Sequence, residues 1–343
     1  MSRRQTPPGR ARQGRATGSR RPGPTDSPTP ATELRNGPAR RLGTAVVLAC
    51  LVALAGLVLW RAGVFGAEPD GGSATAHGAP AAAPAGPVAA PGGGAAGPRP
   101  ATGEVQRLRA RVLASYPHDP TAYTQGLLLH DGSLYESTGG YGSSRLRRVE
   151  PATGRVLADR ELPADWFGEG LARVPAAGGG RLVQLTWREG VAQAWSLPDL
   201  ERISLTHYEG EGWGLCWDDS VPLGRLVMSD GSSRLTFREP EGLAVTGGVE
   251  VTLDGRPVAY LNELECVDGR VYANVFTTDE IVEIDPRSGR VTAVVDASGL
   301  LDAGEAATAE VLNGIAWDPG DGSFLVTGKL WPRLFRVELV PAG

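Results

Sequence analysis

The chain has 343 residues, of which 41% are hydrophobic, and it carries 48 Gly, 27 Pro and a formal net charge of -5. That is apolar enough for a core and long enough for one or two domains. Ten Arg against Asp26 and Glu33 precede Leu42, which leaves roughly -13 beyond it, so the remainder offers no basic surface for nucleic acid. The cysteines are Cys50, Cys216 and Cys266 and the histidines His77, His118, His130 and His207, which excludes a disulfide framework, Cys-based zinc patterns and HExxH spacing.

Residues 1–41 are rich in Arg, Pro, Gly and Ser/Thr without hydrophobic periodicity, the composition of a disordered tail. Residues 42–60, LGTAVVLACLVALAGLVLW, form an uncharged apolar run long enough to cross a bilayer. Arg40, Arg41 and the basic tail on its N-terminal side place that side in the cytoplasm and everything after Trp60 outside. The expectation is therefore a membrane-anchored protein with an extracytoplasmic domain, a secreted protein after signal cleavage being the alternative. Residues 61–103 are mostly Ala, Gly and Pro and read as a flexible spacer. Residues 104–343 then form one domain.

That domain repeats internally. TQGLLLHDGSLYES from Thr124, GEGLARVPAAGGGRLVQLTW from Gly168, GWGLCWDDSVPLGRLVMSD from Gly212, LNELECVDGRVYANVFTTD from Leu261 and LNGIAWDPGDGSFLVTGKLW from Leu312 begin alike. The matched Gly126, Gly170, Gly214, Glu263 and Gly314 lie 44, 44, 49 and 51 residues apart. Each unit reads as a strand, a Gly/Asp turn, a second alternating strand and a third. In SRLRRVEPATGRVL and DEIVEIDPRSGRV an Asp/Glu-Pro-x-x-Gly turn leads to a fourth. Four short antiparallel strands at this period describe a propeller blade. The fifth unit ends one strand short, and the opening VQRLRARVLASY lacks a blade of its own, so the N-terminal strand is expected to complete the fifth. Only residues 303–310 hint at a helix. The fold expected is an all-β, five-bladed propeller.

In such a ring the innermost strands line the central channel, and Gln125, Glu169, Trp213, Asn262 and Asn313 begin them. Four of the five are polar, where backbone packing alone would ask only for the Gly that follows. Tyr123, Phe167, Trp187, Trp213, Phe276 and Trp331 crowd the same level, and Tyr123 and Phe167 each stand two residues before a channel residue. Trp195, Trp217 and Trp317 read as blade-to-blade packing. Cys216 follows Gly214 by two residues and Cys266 follows Glu263 by three. Strand alternation then sends them to opposite faces, and no disulfide is expected between them.

The run YPHDPTAYTQGLLLHDGSLYESTGGYGSSRLRRV, followed by WFGEGLA, LTW, GEGWGL, LNELE and NGIAWD…VTGKLWPRLF, resembles the plant and bacterial type of glutaminyl-peptide cyclotransferase, a five-bladed propeller enzyme. The likeness runs in order from Ser115 to Val340. It implies conversion of an N-terminal Gln of a peptide or protein to pyroglutamate with release of ammonia, by a monomer needing no cofactor. It leaves open a structural cation in the channel. Carried over by position, it makes Glu169 the general acid/base, with Gln125, Asn262 and Lys329 holding substrate and stabilising its carbonyl oxygen. Phe167, Trp187 and Trp213 match the aromatic walls, Tyr123 stands where Phe is more usual, and Phe276 where Trp is. Asn313 joins this substrate-binding set from its place in the repeat.

Lys329 is the single Lys in a total of 34 Lys and Arg. A compact ammonium can aim one charge at one oxygen or at Glu169, where a forked guanidinium would be larger and suited to a two-point grip. The alternative function is a non-catalytic binding propeller outside the membrane, which would not need an acid/base beside fixed donors. Metal-dependent hydrolysis lacks suitably placed histidines. Ser-His-Asp chemistry has only His118, in a PHDP turn.

Overall fold

A computed structural model describes residues 103–343. The chain divides into two units, 1–79 and 80–343, and all described residues fall in the second. The expected tail, membrane anchor and most of the spacer lie outside the described residues. No helix among those described is long and apolar enough to cross a membrane.

The described part is almost entirely strand. After β1 (Gln106–Pro117) come four groups of four: β2 (Thr124–His130), β3 (Ser133–Thr138), β4 (Arg145–Glu150) and β5 (Arg155–Glu161); β6 (Gly168–Val174), β7 (Arg181–Thr186), β8 (Val191–Ser196) and β9 (Arg202–His207). The third group is β10 (Leu215–Asp218), β11 (Arg225–Met228), β12 (Arg234–Arg238) and β13 (Val245–Glu250), trailed by a small hairpin, β14 (Thr252–Leu253) and β15 (Arg256–Pro257). The fourth is β16 (Leu261–Val267), β17 (Arg270–Val275), β18 (Glu280–Ile284) and β19 (Val291–Asp296). A one-turn helix, α1 (Ala303–Ala306), then precedes β20 (Leu312–Asp318), β21 (Ser323–Gly328) and β22 (Arg333–Pro341). The helix hinted at by residues 303–310 is thus a single turn, started by an Asp302–Glu305 capping box. The Asp/Glu-Pro-x-x-Gly turns are present, with Gly154 N–H donating to Glu150 O and Gly289 N–H to Asp285 O.

The first strands β2, β6, β10, β16 and β20 touch one another in a closed cycle, β20 returning to β2. Each neighbouring pair of strand groups shares its own apolar layer. Leu128, Leu146, Leu171 and Trp195 fill the layer between the first and second sheets. Val183, Leu185, Leu226 and Met228 fill that between the second and third, and Val227, Phe237, Leu264 and Val271 the next. Ile281, Val295, Ile315 and Val326 follow, and Leu127, Leu134, Ala316 and Leu325 bring the circle back to the first sheet. This arrangement matches a β-propeller of five blades.

Strand β1 closes it. It is the outer strand of the fifth blade, antiparallel to β22 from Leu108↔Pro341 to Pro117↔Arg333. Its first residues, Gln106 to Arg109, also run parallel to β19. The fourth and fifth blades therefore share one eight-stranded sheet, β16-β17-β18-β19-β1-β22-β21-β20. The sequence anticipates the first pairing. The second depends on where the chain enters the fold.

The repeated Gly after each channel residue has a steric cause. A Cβ on Gly170 would stand 2.6 Å from the carbonyl carbon of Gly214 and the nitrogen of Leu215, and one on Gly214 within 3 Å of the Asn262–Glu263 backbone. Inner strands approach backbone to backbone here, and only Gly fits. The fourth blade has Glu263 instead, and its fully buried carboxyl accepts the N–H groups of Leu127 and Ile315, tying the fourth blade to the first and fifth.

One expectation is overturned: Cys216 and Cys266 form a disulfide, with Cα atoms 5.5 Å apart. The alternation argument treated β10 and β16 as neighbours within one sheet, where opposite faces cannot meet. They belong to successive blades stacked face to face, so the facing sides of the two sheets meet across the seam. Both cysteines sit in the apolar layer shared by the third and fourth blades.

Candidate active site

Four inner strands carry an irregularity at the same place. In β2 the pairing with β3 shifts between Thr124 and Gly126, in β6 with β7 between Gly168 and Leu171, in β16 with β17 between Leu261 and Leu264, and in β20 with β21 between Leu312 and Ile315. Each time one extra residue sits on the inner strand. Gln125, Glu169, Asn262 and Asn313 all fall in these bulges, which re-aim a side chain out of the sheet's alternation. In the third blade Trp213 precedes β10, and its N–H bonds Ser229 O while its carbonyl accepts from Gly170.

Three of these side chains form a hydrogen-bonded chain across three blades. Asn313 Nδ2 donates to Gln125 Oε1 (3.3 Å) and to the Thr124 carbonyl (3.0 Å). Gln125 Nε2 in turn donates to Glu169 Oε1 at 3.0 Å. With its oxygen turned to Asn313, the Gln125 amide can present only N–H to Glu169. Asn262 is as deeply buried, at 2% exposure, and no protein donor among the described residues reaches its Oδ1. An acceptor left open in a buried place is where a ligand N–H would bind.

Lys329 follows β21, is 3% exposed, and places its ammonium 4.7 Å from the Tyr123 ring centroid and 5.2 Å from that of Phe276. Its charge reaches Glu169. Burial drives the Glu169 carboxyl well above the ordinary carboxylate range; the Lys329 charge opposes this, while Glu189 and Glu211 push the same way as burial. The result is a carboxyl that holds its proton to higher pH than an ordinary carboxylate and is placed to act as a proton donor.

The aromatic side chains form a collar around this group. Tyr123 meets Phe167 edge-on at 6.1 Å, Phe167 meets Trp187 at 5.6 Å, and Trp213 meets Phe276 at 5.7 Å. Lys329 lies over both Phe276 and Tyr123, joining the two ends. Trp331 is not part of it: its indole N–H donates to the Glu310 carbonyl, and the ring packs on Phe335 in the apolar layer between the fourth and fifth blades.

Three residues absent from the sequence reading belong to the rim. Tyr141 packs on Phe167 at 5.4 Å and donates to Glu189, whose other oxygen accepts the Phe167 N–H. Glu211 accepts from both Trp187 and Trp213. The available signals were Glu211 two residues before Trp213 in GEGWGL and Glu189 two after Trp187 in WREG, but strand logic gives no reason to turn either toward the axis.

His118 is buried away from the collar, its Nδ1 2.7 Å from the Trp331 carbonyl and its Nε2 3.0 Å from Glu136 Oε1. Both ring nitrogens face acceptors. Burial works against the charged ring, but Glu136 outweighs it and the pKa is raised. Glu136 also holds Thr124 and Arg147, so this cluster braces the root of β2 and contains no serine nucleophile. Among the described residues no group of three or more His, Cys, Asp or Glu side chains could hold a metal ion.

The ring thus gathers a buried acid, an amide relay and the Lys329 ammonium inside aromatic walls. The chain matches the glutamine cyclotransferase family over residues 88–339, and it belongs to that family. It is 40% identical over 238 residues to a glutaminyl-peptide cyclotransferase of Arabidopsis thaliana, covering 68% of this chain and 72% of that one. It is 44% identical to the glutaminyl cyclase of Myxococcus xanthus, whose crystal structure superposes with a TM-score of 0.62, covering 70% of this chain and all of that one.

Proposed function

We propose that this chain is a glutaminyl-peptide cyclotransferase, an acyltransferase that closes the N-terminal Gln of a peptide or protein to pyroglutamate. The observation that carries the reading is Glu169, a buried, proton-retaining carboxyl fixed by Gln125 within reach of the Lys329 charge. The substrate's α-nitrogen bonds to its own side-chain carboxamide carbon, and the C–N bond to the departing ammonia breaks. Folding one side chain back makes the reaction intramolecular, so positioning supplies much of the acceleration. Glu169, protonated at the start, gives its proton to the leaving nitrogen and takes back the one lost by the attacking nitrogen, ending as it began. Lys329 faces the carbonyl oxygen as negative charge grows on it. The open Asn262 Oδ1 accepts a substrate N–H, and Asn313 holds Gln125 in its donating orientation. Tyr123, Phe167, Trp187, Trp213 and Phe276 wall the aliphatic part of the side chain. No step calls for a cofactor, and a structural cation in the channel would be compatible with it.

The fold belongs to the same proposal: a five-bladed propeller, active as a monomer, held outside the membrane behind a cytoplasmic tail, an anchor at residues 42–60 and a spacer. The disulfide between Cys216 and Cys266 favours an oxidising compartment. Secretion after cleavage keeps the same chemistry.

The test is ammonia release from a Gln-initiated peptide by the purified chain, with the product followed by mass spectrometry. Glu169→Gln should lower turnover by about 10²- to 10⁴-fold with thermal stability undiminished. Turnover at the original rate in that variant would remove Glu169 from the mechanism. Peptide binding without ammonia release in the unaltered protein would favour a binding propeller instead.

A further inference from the structure

The ring contacts of the collar include no pairing of Trp187 with Trp213 among the described residues, and Glu211 spans that gap. Its Oε2 accepts the indole N–H of Trp187 at 2.8 Å and that of Trp213 at 3.1 Å. Trp187 follows β7 in the second blade and Trp213 precedes β10 in the third, so one oxygen joins two walls from separate sheets. The other oxygen is held by Arg188 Nε at 2.9 Å, and the Arg188 guanidinium carbon lies over the Trp187 ring, 3.7 Å from its centroid. Carboxylate, guanidinium and indole thus lock one another.

We propose that Glu211 is a positioning residue that sets the width of the substrate pocket by clamping Trp187 to Trp213. The inference rests on the cyclotransferase reading for its kinetic consequence only. An indole N–H has no alternative acceptor as good as an ionised carboxylate, and an indole so tied loses rotamer freedom. Burial alone would favour the neutral acid, but the bonds from Trp213, Trp187 and Arg188 outweigh it and lower the Glu211 pKa, keeping the clamp charged at neutral pH. The clamp acts before substrate arrives, so its loss falls on binding more than on proton transfer. In Gln the amide oxygen can still accept both indole N–H groups, at the loss of the bond from Arg188, whereas Ala leaves the two walls unlinked.

The experiment compares Glu211→Ala and Glu211→Gln in the full-length protein. KM for a Gln-initiated peptide should rise about tenfold in Glu211→Ala, and Glu211→Gln, which removes the same charge from beside Glu169 and so shares any change in kcat, should recover part of the KM loss. The second readout needs no turnover: 15N-labelling of the tryptophans, eight in the chain. Two indole N–H resonances, assigned through Trp187→Phe and Trp213→Phe, should move upfield in Glu211→Ala while the others stay. If the unaltered protein shows no cyclisation, the functional reading fails and the indole resonances still decide the clamp. The clamp is wrong if those two resonances do not move. It is also wrong if KM is unchanged in Glu211→Ala, or if Gln and Ala are equally impaired in KM, since the negative charge would then be the operative feature.

Discussion

Replacing Glu265 by Gln should make the fold progressively more stable than the unaltered protein as pH rises. Glu265 lies on β16, three residues beyond Asn262, and accepts the N–H of Trp317 at 3.0 Å. Burial pushes its pKa up from 4.5 to about 8, with the Trp317 bond opposing. The folded state binds this proton more tightly than the unfolded chain does. The group's contribution is therefore fully present below about pH 4.5, lost steadily as pH rises, and gone above about pH 8. The slope is about 1.4 kcal/mol per pH unit over that window, close to 5 kcal/mol in all. Glu265 keeps some solvent exposure, which screens the charge and makes that figure a ceiling. Even half of it is a large part of an ordinary folding free energy of about 5–15 kcal/mol. Gln keeps an acceptor for Trp317 and never ionises. It also spares Glu263, whose own carboxyl is raised first by burial and then by the Glu265 charge. Urea unfolding of both proteins from pH 4 to pH 9 reads the difference, expected near zero at the acid end and growing with pH. Parallel stability–pH curves would show that Glu265 titrates normally, and the reasoning about the buried carboxyls along β16 would fall with it.

Cys216→Ser should destabilise the domain by about 2–4 kcal/mol, since the bridge closes a loop of 50 residues between successive blades; an unchanged urea midpoint in non-reducing buffer would show that the seam holds without it. Lys329→Arg keeps the charge but not the shape. With the ammonium seated between the Tyr123 and Phe276 rings, the larger fork should displace the collar and lower kcat/KM at least about tenfold. Activity equal to the original would mean that only charge is needed there.

Much of this was already written in the sequence. The 44- to 51-residue spacing of the Gly126-type positions and the strand-turn-strand pattern fix five similar units, because each is a small sheet with too little core to stand alone. A unit one strand short beside an unclaimed N-terminal strand settles how the ring is closed. The residue before each Gly marks the axis, since the Gly is there to let neighbouring backbones meet. Tertiary structure decided what depends on stacking between blades rather than on order within one. Period-two alternation assigns faces inside a sheet but does not say which faces of successive sheets confront each other, so the Cys216–Cys266 bridge was misread. The bulges that turn Gln125, Glu169, Asn262 and Asn313 inward add single residues, which no periodicity registers. Glu211 looks like any loop acid until two indoles from different blades are brought to one of its oxygens.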